Sequence, residues 1–174
     1  MKKYIALILA LVMAVSMVAC GNKAAEKAPL EGTMEENVMK VMEIAPVEFM
    51  AGAMPVDLTD TSEDGKWALS YFTGLSDASK ITDVCVYEPM MGSQAFSLVM
   101  VRAAEGVDTK AVAEEMKTNI DPRKWICVGA DEIMAAGYAD TVMFIMVDSQ
   151  MGLSAQSYVD AFAQVAGAEL DFTI

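Results

Sequence analysis

Histidine is absent from the 174 residues of the chain. That removes the side chain best suited to acid–base work near neutrality, most catalytic zinc sites, and every Ser-His-Asp or Cys-His arrangement. Basic residues are scarce: 12 Lys plus Arg stand against 25 Asp plus Glu, for a net charge of −13. Nucleic-acid affinity rests largely on neutralising phosphates with Lys and Arg, so this balance argues against a nucleic-acid partner. No glycine-rich phosphate loop follows a strand-like run, which leaves nucleotide binding without a motif. A long apolar run occurs at one place, Tyr4 to Val18, and it is shorter than the roughly 20 residues that cross a bilayer comfortably.

That run has the layout of a bacterial export signal. Lys2 and Lys3 precede it and Ala19-Cys20 closes it. Met17-Val18-Ala19-Cys20 resembles the lipobox of bacterial lipoproteins, with Met17 where the pattern prefers Leu. The resemblance implies that Cys20 becomes the lipidated first residue of the mature chain. The alternative is an ordinary cleaved signal in which Cys20 is incidental, and both readings export the protein. Lipidation with two or more acyl (palmitate-type) chains anchors stably, here to the outer face of the cytoplasmic membrane. Loss of Lys2 and Lys3 takes Lys plus Arg from 12 to 10 against 25 acidic residues, a mature net charge of −15. Residues 20 to 33 have no periodic apolar face and read as a flexible tether. One domain is expected over residues 34 to 174, which is enough chain to bury a core without staples.

Within that domain, Thr33 and Glu36 have the capping-box spacing. Met34, Val38, Val41, Met42 and Ala45 then recur on one side of a helix that Pro46 ends. Val47 to Pro55 reads as a buried connector or a short irregular strand. Trp67 to Phe72 reads as a short helix that Asp64 can cap. Thr82 to Tyr87 and Ala95 to Val101 are rich in β-branched and aromatic residues and form an expected hairpin around Glu88 to Gly92. Thr109 to Asn119 is an amphipathic helix, and Lys124 to Val128 a further strand. Gly129 to Gly137 fits either one helical turn or an edge strand. Thr141 to Val147 is unbroken and apolar, as a strand covered on both faces should be. Ser154 is expected to cap a last helix with Tyr158, Val159 and Phe162 inward, and Glu169 to Ile174 to add a short edge strand. The fold class expected is α+β: two layers, a mostly antiparallel sheet with the helices Met34 to Ala45, Thr109 to Asn119 and Ser154 to Gly167 packed against it.

Chemistry-bearing positions are few. Asp60, Ser62, Asp64 and Gly65 fall at the first, third, fifth and sixth places of an EF-hand loop, which makes Asp60, Ser62 and Asp64 a candidate ion site. Tyr71 at the twelfth place has no carboxylate to offer, so a solvated acidic turn is the competing reading. Asp57, Asp60, Glu63 and Asp64 are the candidates for a carboxylate enzyme. Trp67, Tyr71 and Tyr87 are candidate aromatics of a ligand pocket. Thirteen methionines remain once Met1, Met13 and Met17 are set aside. Met90-Met91 beside Glu88 offers soft sulfur for monovalent copper or, alternatively, an exposed tip (Glu88, Met90, Met91) that contacts another protein. Cys85 and Cys127 both fall in expected strands and read as small buried apolar residues, a bridge between them being the alternative.

Val86-Tyr87-Glu88-Pro89-Met90-Met91 and Ala103-Ala104-Glu105-Gly106-Val107-Asp108, with Gly137-Tyr138-Ala139-Asp140 before Val142 to Val147, resemble a family of small lipoproteins of Firmicutes, especially clostridia, that carry an uncharacterised domain of unknown function. The resemblance covers about Tyr71 to Val147 plus the lipobox. It implies an address and no functional residue. The function expected is a non-catalytic cell-surface lipoprotein domain that binds a protein partner, with no cofactor. The alternatives are an extracytoplasmic solute- or metal-binding accessory protein and a carboxylate-based enzyme.

Overall fold

The computed structural model describes residues 27–174; the export signal and Cys20 lie outside the described residues. The first helix, α1 (Met34–Ile44), starts where the sequence places it. Thr33 Oγ1 accepts from the Glu36 amide at 3.2 Å, and the Glu36 carboxylate accepts from the Thr33 amide at 2.9 Å. Two of the unpaired donors at the helix start are thereby satisfied. The Met34 amide donates to Asp83 at 2.8 Å, so the same turn is tied to the sheet.

Six strands follow: β1 (Ala51–Pro55), β2 (Ile81–Pro89), β3 (Phe96–Ala103), β4 (Glu132–Tyr138), β5 (Thr141–Val147) and β6 (Phe172–Thr173). Every pairing is antiparallel, in the order β1-β2-β3-β5-β4-β6. The apolar run of β5 is buried along its whole length, as its sequence requires. Residues 132–138 form a strand and not a helical turn, because each pairs with a residue of β5 around the Ala139-Asp140 turn, where Ala139 takes a φ of 50°.

The class is α+β with an antiparallel sheet, and the helices divide between its two faces. α1 and α4 (Ala155–Ala166) cover one face over Phe96, Leu98, Met100, Met143 and Ile145. α2 (Glu63–Thr73) and α3 (Thr109–Asn119) cover the other over Val84, Val86, Val99, Phe144 and Met146. The assembly therefore has three layers where two were expected. The reason is in the central strands: β3 and β5 alternate apolar side chains to both sides, and neither side can be left in water.

Local corrections follow the same logic. α2 begins at Glu63, capped by Ser62 and not by Asp64, with the Gly65 amide donating to Ser62 Oγ at 3.1 Å. Ser154 makes no side-chain cap on α4; Glu132 reaches across from β4 and accepts from the Ala155 amide at 2.8 Å. Residues 124–128 form no strand. Cys127 sits at a φ of 62°, a left-handed backbone that breaks an extended run. Cys85 is buried as expected, whereas Cys127 is exposed, and the two are unbridged.

At the start of the described chain, the end of the expected tether lies against the domain. The Arg102 guanidinium donates to the carbonyls of Leu30 and Gly32 at 2.9 Å each and pairs with Asp140 at 2.9 Å. Lys27 pairs with Asp171 at 2.7 Å. These contacts sit at one end of β3 and β5, and the β2–β3 turn projects from the other.

Candidate interaction surface

β2 and β3 end in the turn that carries Met90 and Met91. Pro89 closes β2 without an amide to donate, and the Met90 amide returns to the Met50 carbonyl at 3.0 Å. The turn is thereby fixed beside the start of β1. On its other flank the Ile126 amide donates to the Gly92 carbonyl at 2.7 Å, which brings the 121–131 loop alongside. The side chains left outside are apolar. Met50, Met90, Met91 and Ile126 are between 63% and 72% exposed, and Trp67 of α2 is 60% exposed. Trp67 stacks on Tyr71 with ring centroids 4.7 Å apart, and the Tyr71 hydroxyl donates to the Lys124 carbonyl at 3.2 Å. These bonds bring Met50, Met90, Met91 and Ile126 together as an apolar ridge at this end of the sheet, and the Tyr71–Lys124 bond ties α2, with exposed Trp67, to the same loop.

A buried ion pair holds the ridge from beneath. Lys124 is 1% exposed and its ammonium lies 2.5 Å from Glu88, itself 10% exposed. Ser97 Oγ donates to the same carboxylate at 2.6 Å, and the Lys124 ammonium lies 3.4 Å from Ser97 Oγ. The rings of Tyr71, Phe72 and Trp125 surround the cation at 5.0 to 5.5 Å, a geometry in which the ring faces attract it. Burial pulls the lysine below its ordinary range while Glu88 opposes that shift. Burial, aided by the charge of Glu88, raises the Tyr71 phenol. A lysine of lowered basicity beside a serine hydroxyl is the arrangement of a Ser–Lys nucleophile. Here Ser97 is fully buried and its proton is committed to Glu88, so the trio works as a latch on the loop.

The candidate pocket aromatics separate. Trp67 and Tyr71 lie on the α2 side of the sheet, whereas Tyr87 points to the α1 side and packs on Phe96. Successive residues of a strand face opposite ways, so Tyr87 cannot share a site with a group that meets its neighbour Glu88. Of the expected tip residues, Met90 and Met91 are exposed and Glu88 is drawn inward to Lys124.

The acidic loop spends its carboxylates on its own turns. Asp57 accepts from the Thr59 amide and hydroxyl, and Asp60 from the Ser62 amide at 2.9 Å. These bonds hold both carboxyls below the usual range. A cleft of about 240 Å³ opens beside the loop, lined by Asp57, Leu58, Asp60, Lys66, Leu69 and Asp77. Asp77 is likewise lowered by Ser79, so all three carboxylates are poor proton donors at neutral pH. Among the described residues no three His, Cys, Asp or Glu side chains gather as metal ligands. No described helix is long and apolar enough to cross a membrane.

Sequence reasoning did not single out Lys124, Ile126 or Met50. The signal for Lys124 was present: a cation leading directly into Trp125-Ile126 is out of place in a strand that is to be buried. Compared with family models, curated proteins and solved structures, the chain matches none.

Proposed function

We propose that this chain is a lipid-anchored domain on the outer face of the cytoplasmic membrane that binds a partner protein through the ridge formed by Met50, Met90, Met91, Ile126 and Trp67. The observation that carries the reading is the grouping of exposed Met50, Met90, Met91 and Ile126 by the Met90–Met50 and Ile126–Gly92 bonds, on a chain that is otherwise rich in acidic residues. Large apolar side chains exposed singly need no explanation, but grouped ones mark contact sites. Methionine and tryptophan suit such a site, the first by adapting its shape and the second by offering area at little entropic cost. The clasp on residues 27–32 supports an orientation as well. With Cys20 in the membrane, the end of the domain bearing Arg102 and Asp140 faces the lipid, and the Met90-Met91 turn points away from it.

The test is twofold. Cys20→Ser should move the protein from the detergent phase to the aqueous phase on phase partition and remove the acyl mass. Native mass spectrometry of the wild-type chain from its own host should show one stoichiometric protein companion, which the Met91→Asp, Ile126→Asp variant loses while keeping its melting temperature. A companion retained by that variant, or a small molecule bound in its place, would overturn the reading. In the second case the acidic cleft beside Asp57 and Asp60 becomes the site to examine.

A further inference from the structure

β1 is an edge strand, and its open edge adjoins the ridge. The Met50 carbonyl accepts from Met90 and the Val56 amide donates to Val84. With Gly52 opposite Glu88 and Met54 opposite Val86, the even-numbered residues direct their peptide groups to β2. The odd-numbered ones turn outward. Ala51 and Ala53 therefore present an N–H and a C=O each to the open side, and Pro55 a C=O alone. Among the described residues nothing hydrogen-bonds to these groups. The side chains along this edge are small at Ala51, Gly52 and Ala53. On the α2 side of the sheet, Met54 is exposed with Met50 and Met90, and a methyl placed on Gly52 would sit 3.8 Å from the Met90 side chain. An edge flanked by a methionine shelf has what strand addition uses: main-chain bonds for affinity and an apolar surface for alternate side chains of the incoming strand.

The charges around the edge name the kind of strand. In sequence, Glu48 precedes β1 and Asp57 follows it, and no Lys or Arg lies between Lys40 and Lys66. A second copy of the chain is disfavoured, because antiparallel pairing of β1 with itself would bring Glu48 of one copy toward Asp57 of the other, and like charges set opposite one another destabilise a ladder. An extended segment with basic flanks meets the opposite condition.

Resting on the protein-binding reading above, we infer that the partner docks as an added strand: an extended, alternating apolar segment with Lys or Arg at its ends, hydrogen-bonded to Ala51 and Ala53 with side chains lying on Met50, Met54 and Met90. The probe is a fluorescent nine-residue peptide of alternating valine and threonine with two lysines at each end, titrated against the full-length chain in lipid nanodiscs. The expected result is saturable binding that weakens at least tenfold when the lysines are replaced by glutamates, and at least tenfold for Ala53→Pro. That substitution removes an outward N–H and leaves the β1–β2 ladder intact, as prolines at sheet edges do. Bound peptide should also slow hydrogen exchange in residues 49–56 of the wild type, a readout that does not depend on the variant folding. Equal binding of the lysine and glutamate peptides overturns the basic flanks, and unchanged exchange in 49–56 at saturation overturns strand addition. So does concentration-dependent dimerisation that Ala53→Pro abolishes, since the occupant would then be a second copy. If the host companion is lost with Met91→Asp, Ile126→Asp but kept with Ala53→Pro, protein binding stands and the strand does not. If both variants keep it, the ridge itself is wrong.

Discussion

Replacing Lys124 by methionine keeps nearly all of the side-chain volume and deletes only the charge. The Glu88 carboxylate, 10% exposed, would keep the Ser97 hydroxyl as its one remaining polar partner. Breaking a buried pair by removing one partner typically costs about 3–5 kcal/mol, because the other charge stays uncompensated. For a domain of about 150 residues each kcal/mol corresponds to roughly 2–4 °C, so Lys124→Met should lower the melting temperature by roughly 6–20 °C. Glu88→Leu should also destabilise, by leaving the ammonium among Tyr71, Phe72 and Trp125 without its counterion. The double variant removes both charges and should recover much of the loss, since apolar replacement of a whole buried pair is often close to neutral. Chemical denaturation of the four proteins gives the coupling directly. Hydrogen exchange should rise in residues 121–131 of the single variants, because the latch is what holds that loop. Additive losses, or single variants each within about 0.5 kcal/mol of wild type as ordinary surface changes are, would refute the reasoning.

Three further outcomes follow from the packing. Burial pushes the Cys85 thiol up to about 11 from its ordinary value of 9.0. The folded state thus keeps a proton that the unfolded chain releases, so stability is complete below pH 9 and falls as pH rises toward 11, by up to about 3 kcal/mol. Cys85→Ala should flatten that part of the stability-against-pH curve, and an unchanged slope counts against the assignment. Arg102→Met should release residues 27–32, seen as faster hydrogen exchange and new protease cleavage there, while the hairpin of β2 and β3 keeps its protection. Gly137→Ala drives a methyl into the Phe172 ring. Overpacking of that kind costs about 1–3 kcal/mol, and exchange at residues 171–174 should show β6 lifted from β4; a wild-type melting temperature would mean that the ring simply turns aside.

Much of the order of helices and strands was legible where it depends on local pattern. Thr33 and Glu36 at capping-box spacing placed α1, and the unbroken Thr141 to Val147 placed the central strand. The number of layers depends on how two faces of one strand are covered, and β3, with Phe96, Leu98 and Met100 on one side and Val99 and Val101 on the other, already implied covers on both. The surface was half legible. Met90 and Met91 stand out in a turn sequence, but Met50 and Ile126 join them only through the Met90–Met50 and Ile126–Gly92 backbone bonds, pairings between distant parts of the chain. In residues 124–128, Trp125, Ile126, Cys127 and Val128 favour a strand. The tertiary bond from Lys124 to Glu88 and the left-handed Cys127 overrode that preference.

The most direct test of the account is site-specific photocrosslinking on the intact cell. A photoreactive residue at Met91 or Ile126 should give one discrete adduct with a partner protein, and the same residue at Glu105, at the clasped end of the domain, should give none. Adducts of equal yield from both ends, or none from the ridge, would contradict it.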